Sequence, residues 1–256
     1  MENKSGQVTI FVIIAILLVV AVMAFFLLRG NVLPEIGGKA EEDPNKFFAS
    51  CIEGGIEEAR QLMLSHGGYV EPELHVVYDN KTIAYLCYNK NYYQTCINQE
   101  PVYIEHLERE IENYISDDVR DCFDDLAVNF EKKGYVVDAK YNGFEVGVVP
   151  SKIVIDVVGS MSLTKSGATS KQIGFKIVKP SALFEIANVA REIVNQEAKY
   201  CSFEYVGYML FYSRYDIDKK AIGQGPTASK IYIIGDRKTN EKLNIAVRGC
   251  EVPPGI

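Results

Sequence analysis

The chain has 256 residues, with 34 acidic side chains against 27 basic ones and a formal net charge of −7. That balance, with no run of five or more Lys and Arg, excludes the concentrated basic face of a nucleic-acid binder and a polybasic patch for anionic lipid. Sixteen tyrosines and no tryptophan suit strands and polar surfaces.

The first element in chain order is apolar. Val8 to Leu28 read VTIFVIIAILLVVAVMAFFLL, uncharged and with Thr9 the one polar residue. At 1.5 Å per residue this stretch covers roughly 31 Å, the thickness of a bilayer's hydrocarbon core. The expectation is a retained transmembrane helix over 8–28 behind a cytoplasmic tail at 1–7. A cleaved secretory peptide would have a shorter apolar core and a small-x-small site, whereas this run ends in Phe25-Phe26-Leu27-Leu28-Arg29. Counting positive flanks (Lys4 against Arg29, Lys39 and Lys46) does not favour an inside N-terminus. Six cysteines and the glycosylation sequon Asn80-Lys81-Thr82 do favour an outside C-terminal domain. The expected location is therefore the cell membrane, single-pass, with the folded part outside.

The opening Lys4-Ser5-Gly6-Gln7-Val8-Thr9-Ile10-Phe11 resembles the class III signal of archaeal pilins. That resemblance implies cleavage before Gln7 and helices that pack into a filament core. Ser5 stands where a basic residue is usual in that family, and Phe11 where a glutamate usually sits. The whole chain resembles uncharacterised membrane-anchored surface proteins of small-genome archaea. They share the GQVTIF opening and a Cys-containing helix ending in Gly-Gly-Tyr, here Cys51 to Tyr69. The resemblance implies an anchored ectodomain and supplies no activity.

Residues 29–45, rich in Gly, Pro and acid, read as a linker. Phe48, Cys51, Ile52, Ile56, Ala59, Leu62 and Met63 then recur at helical steps, and Gly67 and Gly68 end that helix. Glu53, Glu57, Glu58 and Arg60 lie mainly off the stripe and read as a solvated face. Strands are expected over 74–78 and 82–88, with Asp79, Asn80 and Lys81 between them. After Pro101 a long stripe from Ile104 to Phe130 marks a second helix, with a break expected near Ser116-Asp117-Asp118.

From Gly134 the texture changes to β-branched runs over 135–141, 144–149, 153–158, 160–165 and 172–179, punctuated by turn residues. Their close spacing predicts an antiparallel meander. Leu183, Ile186, Ala187, Ala190, Ile193 and Val194 form the stripe of a third helix lying on the sheet. The aromatic run after Cys201 reads as a strand covered on both faces, and 229–234 with 243–248 as a last pair. An exposed contact surface of Tyr200, Phe203, Tyr205, Tyr208, Phe211, Tyr212 and Tyr215 is the alternative for that run. The expected fold class is α+β: a transmembrane helix, then an ectodomain of helices on an antiparallel meander. Residues 46–133 form a helical, cysteine-containing part with a small hairpin, and 134–256 a sheet with one packed helix.

Six cysteines permit fifteen pairings. Cys87 and Cys96 flank a short loop, Cys51 and Cys122 lie on the stripes of two helices, and Cys201 with Cys250 remain by elimination. There is no C-x-x-C and no zinc spacing, so no metal site is expected. His66, His75 and His106 read as ordinary polar histidines. Neither a nucleophile elbow, a P-loop nor a dinucleotide fingerprint occurs, so no catalytic residue and no cofactor are assigned. Tyr88, Tyr92 and Tyr93 are the candidate contact aromatics for a protein or glycan partner. The oligomeric state is not legible. The expected role is a membrane-anchored extracellular domain with a structural or interaction function. A pilin-like filament subunit and an ectoenzyme with an unrecognised site are the alternatives.

Overall fold

The computed structural model describes residues 18–19 and 43–250. The expected tail 1–7, the cleavage point before Gln7 and the linker as far as residue 42 lie outside the described residues. So does the expected membrane segment 8–28, except Leu18 and Val19, which are helical. Among the described residues no helix is long and apolar enough to cross a membrane.

Asp43 accepts the Asn45 amide at 3.0 Å and Pro44 fills the first turn, which starts helix α1 (Pro44–His66). Its stripe of Phe48, Ile52, Ile56, Ala59 and Met63 is buried, and left-handed Gly67 (φ 77°) ends it. A hairpin follows, β1 (His75–Tyr78) and β2 (Lys81–Tyr88), with short β3 (Ile97–Asn98) also paired to β2. Helix α2 (Tyr103–Lys132) runs for 30 residues without the expected break. Ile111, Ile115, Val119 and Cys122 keep the stripe in phase across the acidic stretch, and Ser116 Oγ bonds back to the Asn113 carbonyl at 3.2 Å. The two helices pack closely at Gly55, where an added Cβ would lie 2.5 Å from Asp118 Oδ2. Nearby, the Cys51–Cys122 disulfide ties them.

The five expected short strands are three long ones: β4 (Val136–Val149), β5 (Lys152–Lys165) and β6 (Ala168–Pro180), an antiparallel sheet in the order β4-β5-β6. Pro150-Ser151 and Ser166-Gly167 are turns, but the breaks at Asn142-Gly143 and Gly159 are bulges. Asn142 and Gly143 together oppose Val158, and Val158 and Gly159 together oppose Gly174. The extra residue shifts the inward phase of β4 from Val137 and Tyr141 to Phe144, Val146 and Val148. Gly143 supplies the positive φ of 100° that the bulge requires.

Helix α3 (Leu183–Tyr200) buries its whole expected stripe. The run after it is not a strand: α4 (Tyr205–Phe211) is a short helix with no buried residue, and the strand β7 (Tyr215–Ile222) starts where the aromatics end. The expected final pair forms as β8 (Ser229–Asp236) and β9 (Lys242–Arg248). The larger sheet runs β1-β2-β9-β8-β7, and β9 lies parallel to β2, which places the last strand beside the first hairpin. Residues 43–250 are thus α+β, four α-helices with two largely antiparallel sheets. Side chains of α1, α2 and α3 share one continuous core with both sheets. Phe175 is central to it, its ring 5.2 Å from Phe48 and 5.8 Å from Phe123.

The acidic face of α1 is not simply solvated. Arg60 bonds Glu57 and reaches Glu241 in the β8–β9 turn, while Glu53 pairs with Lys179 at 2.6 Å. Glu241 also accepts from the Ala182 amide and the Ser181 hydroxyl, so it serves the start of α3 as a cap from across the fold. The bond from Arg60 holds the Glu57 carboxyl below the usual range.

Candidate functional site

The cysteines pair as Cys51–Cys122, Cys87–Cys96 and Cys201–Cys250, with sequence separations of 71, 9 and 49. The Cys87–Cys96 bridge closes the loop that carries the candidate tyrosines. Inside the loop Asn89 Nδ2 donates to the Thr95 carbonyl at 2.7 Å, its Oδ1 accepts from Asn91, and the Gln94 carbonyl accepts from the Cys250 amide at 2.7 Å. These bonds hold the tip in one shape. Tyr92 and Tyr93 meet edge-on at 5.6 Å, and Tyr93 is 55% exposed, with Ile97 also open beside the bridge. Tyr88 stands apart from them. It is half-buried against Tyr85 at 5.2 Å, beneath the Arg248 guanidinium, and its hydroxyl accepts from Arg248 Nη1 at 3.1 Å. Of the three expected contact residues, the structure therefore displays chiefly Tyr93. Asn80 is exposed in the two-residue hairpin turn, where Asp79 and Asn80 both take positive φ of 51° and 58°.

The more exposed apolar surface lies in the aromatic run that reads in the sequence as a covered strand. On α4, Phe211 is 86% and Leu210 is 81% exposed, with Val206 of the same helix and Tyr212 just after it also open. The helix is nevertheless pinned. Glu204 caps it through the Gly207 amide at 3.2 Å, Met209 Sδ accepts from the Ile217 amide, and Tyr208 packs on buried Phe203 with rings 5.3 Å apart. Tyr208, Tyr212 and Tyr215 then line a cleft of about 530 Å³ with Glu185, Asn188 and Glu192 of α3. Burial, aided by the neighbouring tyrosines and Glu192, pushes the Tyr208 hydroxyl up to about 12. Phe211 and Leu210 thus stay largely exposed on a helix tied to its neighbours. A weak signal existed in the sequence, Glu204 ahead of Gly207, but nothing local tells whether the far side of such a helix is covered.

A second concavity, about 340 Å³, lies between the segment after α1 and the start of α2, lined by Tyr69, Glu71, Glu73, Glu100 and Glu110. Its inner carboxylates are committed. Glu100 accepts from the Tyr69 hydroxyl at 2.5 Å, and Glu110 from the Val70 amide at 2.8 Å. Burial and the bond to Glu100 raise the Tyr69 hydroxyl far above its ordinary value. His106 Nε2 meets the Gly68 carbonyl at 3.0 Å, His66 that of Val70, and His75 that of Pro72. These bonds tie each of the three imidazoles to a backbone carbonyl. Among the described residues no group of three or more His, Cys, Asp or Glu is arranged to hold a metal ion. No protein-family model, curated protein or solved structure matches this chain.

Proposed function

We infer that the chain is a membrane-tethered ectodomain that works by contact, binding an apolar patch of a surface protein through α4. The observation that carries this reading is the pair Leu210 and Phe211, held in water on a capped and packed helix. Interface cores favour such side chains, and truncating a central aromatic often costs 2 kcal/mol or more of binding, about thirtyfold in affinity. Three disulfides suit the oxidising side of a membrane, and the uncharged run from Val8 to Leu28 supplies the tether. The Tyr93 loop and a glycan on Asn80 belong to the same exposed domain.

The test is mass mapping of the protein from native membranes after an alkaline carbonate wash. The reading expects the chain in the membrane pellet, with an uncut segment through Leu28, three disulfides and a glycan lost in Asn80→Gln. A chain starting at Gln7 would turn the account toward a filament subunit. Recovery from the cytosol with six thiols would remove it.

A further inference from the structure

Glu197 of α3 is 0% exposed, and its two carboxylate oxygens have different company. Oε2 accepts from Lys230 Nζ at 2.7 Å. That lysine, 8% exposed on β8, is steadied by a second bond to the Cys201 carbonyl at 2.9 Å. Oε1 accepts from the Tyr232 hydroxyl and lies 3.6 Å from Lys219 Nζ of β7. Buried Phe203 closes the site from the side, its ring 6.2 Å from that of Tyr232. Burial and the bond to Glu197 raise the Tyr232 hydroxyl, which keeps it a donor.

An amine, a carboxyl carbon and a hydrogen-bond donor fixed in a dry pocket are the reactants and the acid of an amide condensation. Contact at hydrogen-bond range makes the step unimolecular. Exclusion of water removes the reagent of the reverse reaction.

We propose that Lys230 and Glu197 join in an intramolecular isopeptide bond. A proton passes from the Lys230 ammonium to Oε2 along their 2.7 Å contact, giving the neutral amine and the neutral acid. The Nζ lone pair attacks Cδ, and the carbonyl electron pair moves onto Oε1, where the Tyr232 hydroxyl and the Lys219 ammonium hold the negative charge. A second Nζ proton moves to Oε2, which leaves as water while the Oε1 electrons re-form the carbonyl. One C–N bond forms, one C–O bond breaks, and no oxidant or reductant is consumed. The product welds α3 to β8 beside the Cys201–Cys250 bridge, and a reductant cannot undo it. This proposal stands whether or not α4 is a contact surface.

The test is proteolysis of the mature full chain after complete reduction and alkylation, followed by mass spectrometry. The expected product is a branched peptide joining the segments of Glu197 and Lys230, lighter by one water than their sum. It is absent from Lys230→Met. Tyr232→Phe keeps the ring but removes a donor from Oε1, so condensation slows on the order of a hundredfold and freshly made protein retains the water. Separate linear peptides bearing unmodified Glu197 and Lys230 in mature wild-type protein would overturn the bond and leave a buried ion pair. The wild-type digest decides the matter even if a variant fails to fold.

Discussion

Two phenylalanines mark the two kinds of surface in this molecule. Phe175 is 2% exposed between Phe48 and Phe123, while Phe211 on α4 is 86% exposed with Leu210 beside it. The first group joins helices to the three-stranded sheet. The second stays largely in water, although α4 is tied down by the Glu204 cap, Met209 and Tyr208. The contrast teaches that apolar side chains serve folding in one place and, in the function proposed above, contact in the other.

The largest expected effect breaks the core side of that comparison. Phe123→Ala leaves a cavity against Phe175 and Tyr141 and should cost about 3–5 kcal/mol in urea unfolding. Removing the Cys51–Cys122 bridge by a double change to Ser should cost about 2–4 kcal/mol, because it closes a long loop at a separation of 71. The Cys87–Cys96 bridge, at a separation of 9, should cost roughly 1–2 kcal/mol less in the chain-entropy model. Glu241→Gln weakens the cap on α3 and the bond to Arg60, an expected loss of about 1–2 kcal/mol. A smaller effect comes from acid. The Glu57 carboxyl is lower in the folded chain than its ordinary 4.5, so its contribution is complete above 4.5 and fades as pH falls through the depressed folded value. Unfolding followed from pH 6 to 3 should show that slope, and Arg60→Gln should flatten it. At the other end, Phe211→Ala should leave stability within about 0.5 kcal/mol, the behaviour of a surface site.

The sequence disclosed what is periodic. The buried stripes of α1 and α3 and the pairing of β8 with β9 follow from spacing alone. The long strands were hidden because the bulge at Asn142 and Gly143 shifts the inward phase of β4, and a phase shift between turn-forming residues reads as two strands. The break expected in α2 did not occur because Ser116, Asp117 and Asp118 lie off its buried stripe. Arg60 meets Glu241 from 181 positions away, so nothing local announces that cap. The cysteine pairs were inferable because two of them follow from a short loop and two helix stripes. The α4 surface was illegible for a plainer reason. Aromatic residues from Phe203 to Tyr215 fit a covered strand as well as an open helix, and only tertiary structure tells what lies opposite Leu210.

Hydroxyl-radical footprinting tests the contact reading most directly, comparing residues 43–256 in isolation with the whole protein in its native membrane. Leu210, Phe211 and Tyr212 should oxidise readily in the isolated domain and be protected several-fold in the membrane, while buried Phe175 stays unreactive in both. Equal labelling of Phe211 in the two samples would show that nothing covers α4 and would contradict the account.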